Sequence, residues 1–360
     1  MNVIKEVSFK NTPYEYYQHP ILTADEEDRG LMDTALTNAQ GFHRQEEYSG
    51  QTWTDGTPMI NYPRFHRNEK YQLPVNDYRI KQYDNVMIKI HYGTIEGYRC
   101  GEGRKVEVIG EANGEFALDK VYSLLNFEGR SWQHFMQDAL PILMFGLDIL
   151  RQDPSIDIMM YEPTSWLNGT FLELISYFNL DNKVVFIPYG QEIILNAKTL
   201  YNFEADPTIP ICWWNNWFYE SANKIFNTSV ENKNVIMIAR SNSRFIENFD
   251  EITQIVEEYA AANNLDFYKV DPANLSPQDL FSIFNKAHTV LSPNGGASFN
   301  MMFCNPNTKF IEVGFTEWSY ILYNMASAIK LKYYVLPIKG HNLTPSYYLS
   351  PDKVKKIINE

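Results

Sequence analysis

A chain of 360 residues that is 44% hydrophobic and 21% charged has the composition of an ordinary soluble globular protein, long enough for two cores. Its formal net charge of −13 argues against a general nucleic-acid partner and against an anionic membrane surface. A small anionic ligand stays compatible with that charge, because a helix terminus or an arginine sets the sign locally. The aromatic content, 15%, suits carbohydrate binders and well-packed cores alike. Cys100, Cys212 and Cys304 are widely spaced with no CxxC, so they support neither a disulfide framework nor a thiolate metal site. The opening "MNVIKEVSFKNTPYEYYQHP" is not a basic-then-apolar leader, and no stretch approaches roughly 18 apolar residues. A cytoplasmic protein is expected, with room for peripheral association with a membrane-borne partner. The sequon Asn168-Gly169-Thr170 then has no meaning.

Residues 1–110 read as an irregular region rich in Tyr, Asn, Pro and charge, part of an N-terminal lobe. One alternating run in it, "YDNVMIKIHYGTIEGYR", predicts two strands around Gly93. Over 111–220 the pattern becomes that of a Rossmann-like domain. "SWQHFMQDALPILMFGLDILRQ" has apolar residues at helical spacing, interrupted by Pro141. "IDIMMY" and "KVVFIPY" read as short buried strands with "WLNGTFLELISYFNL" as the helix between them, and that alternation implies a parallel sheet. The turn-rich "LYNFEADPTIPICWWNNWFYESANKIFNTSVENKN" reads as the interdomain stretch.

Residues 221–340 predict a second Rossmann-like domain with a cleaner pattern. "NVIMIAR", "DFYKVD", "HTVLSPN", "KFIEVG" and "YYVLP" are strands, and "DEITQIVEEYAAANN" and "SPQDLFSIFNKA" are helices, the latter with Ser276 as N-cap. "ASFNMMFC" predicts a short helix, and "SPDKVKKIINE" a closing helix within 341–360. There is no internal repeat and no low-complexity tract. Two Rossmann-like halves facing each other across a cleft make the GT-B architecture, which is the α/β fold expected here.

Ligands of doubly wound sheets bind beyond the carboxyl ends of the strands. In "NVIMIARSNSRFIENFDEI", Arg240 and Arg244 follow a strand. In "LSPNGGASFNMMFCNPNTKFIEVG", a strand ends in Pro293-Asn294-Gly295-Gly296-Ala297 and runs into the helix expected near Ser298. Two glycines there let a backbone approach a ligand closely, and the N–H groups of Gly295 to Ser298 with the helix dipole offer a diphosphate cradle. Glu312 ends the next strand, where a ribose-binding acid is expected. Each feature has an ordinary reading as well: solvated arginines, a Gly-Gly turn, a carboxylate capping a neighbouring helix. Together on one face of one sheet they point to an anionic nucleotide ligand.

Three blocks resemble, in this order, glycosyltransferase family 61. That family includes plant xylan xylosyl- and arabinosyltransferases, the EGF-domain O-GlcNAc transferase, and bacterial and viral capsular-polysaccharide-type proteins. The first block has Trp132, His134, Asp138, Leu140 and Pro141. The second has Arg240 with Asn248. The third has Gly296, Ala297 and Asn300, followed by Phe303, Pro306 and Glu312. The likeness covers about residues 120 to 315. It departs from the family pattern at Asn294, where a His usually precedes the Gly-Ala pair, and at Ser298-Phe299 in place of Gly-Leu.

The resemblance implies a GT-B fold, an inverting mechanism and a nucleotide-sugar donor, UDP-linked by default, bound mainly by the C-terminal half. Such chemistry needs a base for the acceptor hydroxyl and positive charge for the departing diphosphate. His134 and Asp138, at i and i+4, share a helical face and fit the first need, with the carboxylate orienting the ring. Arg240, with Arg244 in support and the loop amides, fits the second, with Asn300 and Glu312 completing the donor site. No Asp-x-Asp is present, the nearest imitation being Glu204-Ala205-Asp206, so neither a metal nor a cofactor beyond the donor is expected. Trp213, Trp214 and Trp217 offer sugar-stacking faces or interdomain packing. The expected partners are the donor and a glycan, glycoprotein or glycolipid acceptor, in capsule, surface-glycan or viral polysaccharide biosynthesis. Two rivals stand beside this reading. One is a nucleotide-sugar epimerase or phosphorylase on the same fold. The other, which the Asn294 departure keeps open, is a non-catalytic glycan- or nucleotide-binding protein. Nothing in the sequence addresses oligomeric state.

Overall fold

Hydrophobic runs of two periods, one suited to strands and one to helices, alternate along the chain. The computed structural model describes residues 5–10, 15–17, 22–32, 70–72, 77–90, 106–125, 131–163, 168–204, 216–226, 231–240, 244–315, 321–338 and 345–360. They form a mixed α/β structure in two compact units, residues 1–14, 50–60 and 72–215 in one and 15–49, 61–71 and 216–360 in the other. Among the described residues no helix is long and apolar enough to cross a membrane.

The first unit holds a seven-stranded sheet. Its strands are Lys5–Lys10 (β1), Asp77–Ile90 (β2), Val106–Glu111 (β3), Leu118–Ser123 (β4), Asp157–Tyr161 (β5), Val184–Ile187 (β6) and Ile193–Glu204 (β7). They lie in the order β1-β2-β7-β4-β5-β6, with β3 beside β2. β7, β4, β5 and β6 run parallel, and β2 is antiparallel to β1, β3 and β7. The parallel part is the expected strand–helix–strand alternation, with Leu140–Gln152 (α1) and Asn168–Ser176 (α2) as crossovers. The predicted pair of strands around Gly93 differs. β2 is one 14-residue strand ending at Ile90, and the rest of that run lies outside the described residues. β7 also carries the sheet into the stretch read as interdomain.

The helical run before α1 shows how a proline is accommodated. Trp132–His134 forms an α-turn capped by Ser131, and Phe135–Ala139 is a π-turn in which Leu140 N–H donates to Phe135 O. Pro141 has no N–H to return and its ring crowds the carbonyl a turn behind, so the backbone widens ahead of it. On the sheet side, the Tyr122 hydroxyl donates to Ile142 O at 2.7 Å. The ring reaches that far because residue 146 is glycine: a Cβ there would stand 2.6 Å from both Cε2 and Oη of Tyr122.

The second unit is built on a parallel sheet. After Asn216–Phe226 (α3) come Asn234–Ile238 (β8), Phe249–Ala262 (α4), Asp266–Val270 (β9), Pro277–Phe284 (α5) and Ala287–Pro293 (β10). Lys309–Phe315 (β11), Ile321–Ala328 (α6), Lys332–Ile338 (β12) and Pro351–Asn359 (α7) follow. The strand order is β9-β8-β10-β11-β12, closed by the short strand Leu22–Thr23. β8 is buried at every position, as a strand covered on both faces must be. Ser276 caps α5 as expected, its Oγ accepting from Asp279 N–H at 3.1 Å, with Pro277 in the first turn. α6 is an element the sequence reading did not contain.

One core joins Ile252, Ile255 and Val256 of α4, Val354, Ile357 and Ile358 of α7, and Leu291, Ile311 and Val313 of the sheet. Each such aliphatic contributes about 1.5–3 kcal/mol by leaving water. α7 is further tied to the helical segment 26–32 by Lys353 Nζ, 2.6 Å from the buried Asp28 Oδ1 and 3.2 Å from Glu27. Numbered within this domain, the sheet order is 2-1-3-4-5. The chain therefore leaves β8 toward β9 on one side and returns with β10 on the other, and the two connections diverge where β8 and β10 end.

Candidate functional site

β8 and β10 are parallel neighbours with Met237 opposite Leu291, so the segments that follow them leave the same edge of the sheet. Arg240 stands two residues past β8, and Asn294 follows β10 directly. Arg240 Nη1 donates to Asn294 O at 3.0 Å, and Arg244 Nη1 donates to Asn294 Oδ1 at 3.4 Å. One residue thus gathers both guanidinium groups, by its backbone and by its side chain. Arg244 reaches this position with a φ of 57°, a left-handed conformation uncommon for a residue with a side chain. Its Nε is buried without a hydrogen-bond partner.

Both arginines are half-buried. Burial lowers the pKa of each, and for Arg240 the charge of Arg244 adds to the effect, while Tyr347 acts against it on both. A guanidinium stays charged regardless, so two like charges are held together at the point where the sheet's connections diverge. Tyr347 is itself buried, on the short strand Ser346–Tyr347. That strand pairs with Phe245–Ile246, which directly follows Arg244.

Gly295 makes the pairing of Arg240 and Asn294 possible. Its φ of 146° and ψ of −171° belong to a region essentially reserved for glycine. A Cβ on it would fall on Arg240 Nη1 and lie 2.9 Å from Cζ. The guanidinium therefore rests on bare backbone. Gly295 is buried beneath it, whereas Gly296 and Ala297 are half-buried.

The helix expected after this loop is present over Gly296–Phe303, but it is 3₁₀ rather than α. Ser298 N–H donates to Gly295 O at 2.9 Å, the tighter i→i−3 ladder, and Asn300 Nδ2 occupies Ala297 O at 2.9 Å. At the other end Asn223 Nδ2 donates to Met302 O at 2.9 Å and to Cys304 O at 2.8 Å. Gly296 and Ala297 head the helix, so their N–H groups have no carbonyl behind them in its ladder. Ser298 differs from the expected picture: it is fully buried, its N–H is used, and its Oγ bonds Ser292 Oγ at 2.8 Å and Pro293 O at 3.1 Å. Asn300 is likewise fully buried. Both build the loop from below.

Glu312 also needs correcting. It was expected at the end of its strand, in reach of a ribose, yet β11 continues to Phe315 because it pairs with β12 as far as Ile338. Glu312 has no exposed surface. Its Oε1 accepts from Asn294 Nδ2 and its Oε2 from the Tyr333 hydroxyl. It touches the site through Asn294. Tyr333, Tyr347 and the hub role of Asn294 are the parts that sequence reasoning missed, since nothing in "KYYVLP" or "SYYLS" marks a tyrosine as facing a carboxylate or an arginine.

In the first unit, His134 is half-buried in the opening turn, its N–H held by Ser131 Oγ at 3.4 Å. Below it Phe135 stacks on Phe171, with centroids 4.0 Å apart. Asp138 lies in the π-turn, so the spacing expected to put it on one α-helical face with His134 crosses a wider turn. Its side chain lies outside the described residues. Trp213, Trp214, Ala205 and Asp206 lie outside them too, as does the side chain of Trp217 in α3. Among the described residues no group of three or more His, Cys, Asp or Glu could hold a metal ion.

No curated protein matches this chain. A family model described as Glycosyltransferase 61 matches residues 132–311, half of the chain. The match opens at Trp132, at the head of the π-turn segment. It takes in Arg240 and the whole Asn294–Asn300 loop, and closes one residue before Glu312. The chain belongs to glycosyltransferase family 61.

Proposed function

We propose that this glycosyltransferase is an inverting enzyme of the GT-B class, moving a sugar from a UDP-linked donor to a hydroxyl of a glycan or glycoconjugate without a metal ion. Family membership supports glycosyl transfer. The observation that carries the rest is the gathering of Arg240 and Arg244 by Asn294 beside the N–H groups that head the Gly296–Phe303 helix. Two cations and a helix N-terminus, where a parallel sheet's connections diverge, suit a pyrophosphate. The buried, unpartnered Nε of Arg244 suits a further acceptor arriving with a ligand.

In this reading the acceptor oxygen attacks the anomeric carbon from the face opposite the diphosphate. The bond from that carbon to the phosphate oxygen breaks, and its electron pair leaves on the nucleotide diphosphate. Arg240, with Arg244 and the amides of Gly296 and Ala297, stabilises the charge that gathers there. His134 takes the hydroxyl proton, with Asp138 as its orienting carboxylate.

Incubation with a panel of nucleotide sugars tests this by the nucleotide released. One donor is expected to be hydrolysed slowly without acceptor and faster with a suitable glycan. His134→Ala is expected to cut the acceptor-dependent rate by about 10²–10⁴-fold while nucleotide affinity stays unchanged. Binding without turnover across the panel, with and without acceptors, would point instead to a non-catalytic nucleotide or glycan binder.

A further inference from the structure

We infer that Tyr333, Glu312 and Asn294 form a positioning relay that fixes the polarity of the Asn294 amide, and through it the place of Arg244 in the anion site. The inference rests on the reading of the arginines as the diphosphate site only for the purpose the relay serves. An asparagine amide is nearly symmetric in shape, with a donor on one side and an acceptor on the other. Here the two sides face opposite charges, Nδ2 toward Glu312 and Oδ1 toward the Arg244 guanidinium. Glu312, fully buried, accepts from Asn294 with one oxygen and from Tyr333 with the other. Tyr333 is held in turn by near-complete burial at 1% exposure and by ring contacts, at 5.6 Å to Tyr323 and in parallel over Phe310 at 6.3 Å. A rigid sheet thus dictates which atom of Asn294 meets Arg244. The Arg240 contact, made to the backbone oxygen of Asn294, is independent of that choice.

This polarity can be reversed on paper. The relay holds Tyr333 as a donor, as it is toward Glu312; with Glu312→Gln its hydroxyl then takes the one amide oxygen, so the new NH₂ meets Asn294 Nδ2, donor against donor. Asn294 escapes by turning over, which aims Nδ2 at Arg244 and removes its acceptor. Adding Asn294→Asp makes every pair complementary again: the glutamine NH₂ donates to one aspartate oxygen and the other accepts from Arg244. The total charge equals that of wild type.

The probe is phenylglyoxal, with labelling of Arg244 and Arg240 quantified by peptide mass spectrometry and Arg240 as internal control. Glu312→Gln is expected to raise the Arg244/Arg240 labelling ratio several-fold, and the double variant Asn294→Asp/Glu312→Gln to return it to within about twofold of wild type. UDP affinity should follow the same order, falling about tenfold or more in the single variant and recovering in the double, as for a hydrogen bond to a charged group. An unchanged ratio in Glu312→Gln, or a double variant that labels like the single, overturns the relay. If the single variant does not fold, the double decides: a wild-type ratio supports the relay, and a raised ratio or failure to fold overturns it. Labelling needs no nucleotide, so a wild-type protein that ignores UDP counts against the donor reading while leaving the relay to be judged by the ratio alone.

Discussion

Arg240→Ala is expected to lower donor turnover by about 10²–10³-fold, the cost of removing one preorganised group that faces charge developing in a transition state. The size of the effect follows from where the side chain lies. Arg240 leaves β8 at the diverging point of the sheet and is held to the loop by Asn294 O at 3.0 Å. Its half-buried setting weakens screening by water. The cost to stability should be small by comparison. The hydrogen bond lost, one donated by a charged group, is worth about 1.5–3 kcal/mol, and removing one of two adjacent like charges offsets part of that. Turnover by released nucleotide and melting by circular dichroism check the two halves together. A rate within about threefold of wild type, from protein that melts normally, would remove Arg240 from the chemistry.

Gly295→Ala is expected to damage fold and activity at once. A residue with a side chain held at φ 146° costs about 1–3 kcal/mol before any contact is counted. The added methyl also lands on the Arg240 guanidinium, so either the arginine leaves or the loop moves. For a domain of this size each kcal/mol lowers the melting temperature by about 2–4 °C. Turnover should fall about as far as in Arg240→Ala, since the same cation is displaced. The matching substitution one residue on, Gly296→Ala, is the control, because Gly296 lacks the positive φ of Gly295. Equal melting and equal turnover in Gly295→Ala and Gly296→Ala would show that the close approach of arginine to backbone carries no weight.

What the sequence made legible depended on how local its cause was. β8 and β10 could be read because an uninterrupted apolar run between turn residues has few other uses, and α5 because Ser276-Pro277 is a start signal complete in itself. Arg240 and Gly295 were legible as ligand candidates by position alone, each following a buried strand. Their meeting depends on β8 and β10 being neighbours, which is set by the strand order of the whole sheet and not by either segment. Glu312 was misplaced because its burial is set by neighbours distant along the chain. "KFIEVG" puts an acid near a strand's exit, whereas β11 is a central strand on which Glu312 lies between Ser292 of β10 and Val335 of β12. The 3₁₀ form of Gly296–Phe303 was hidden for a similar reason, since it follows from Asn300 and from Asn223, the latter 79 residues distant from Met302 along the chain. β7 was lost among Asn, Lys and Thr residues that dilute its alternation, although Ala197 and Leu200 are fully buried.

The most direct test of the diphosphate site is a crystal structure with UDP bound. The β-phosphate oxygens are expected within about 3 Å of the Arg240 guanidinium and of the Gly296 or Ala297 amides, with the Nε or Nη groups of Arg244 close behind. UDP seated with its diphosphate away from Arg240, or on the first unit alone, would contradict the assignment of the leaving-group site to this edge of the parallel sheet.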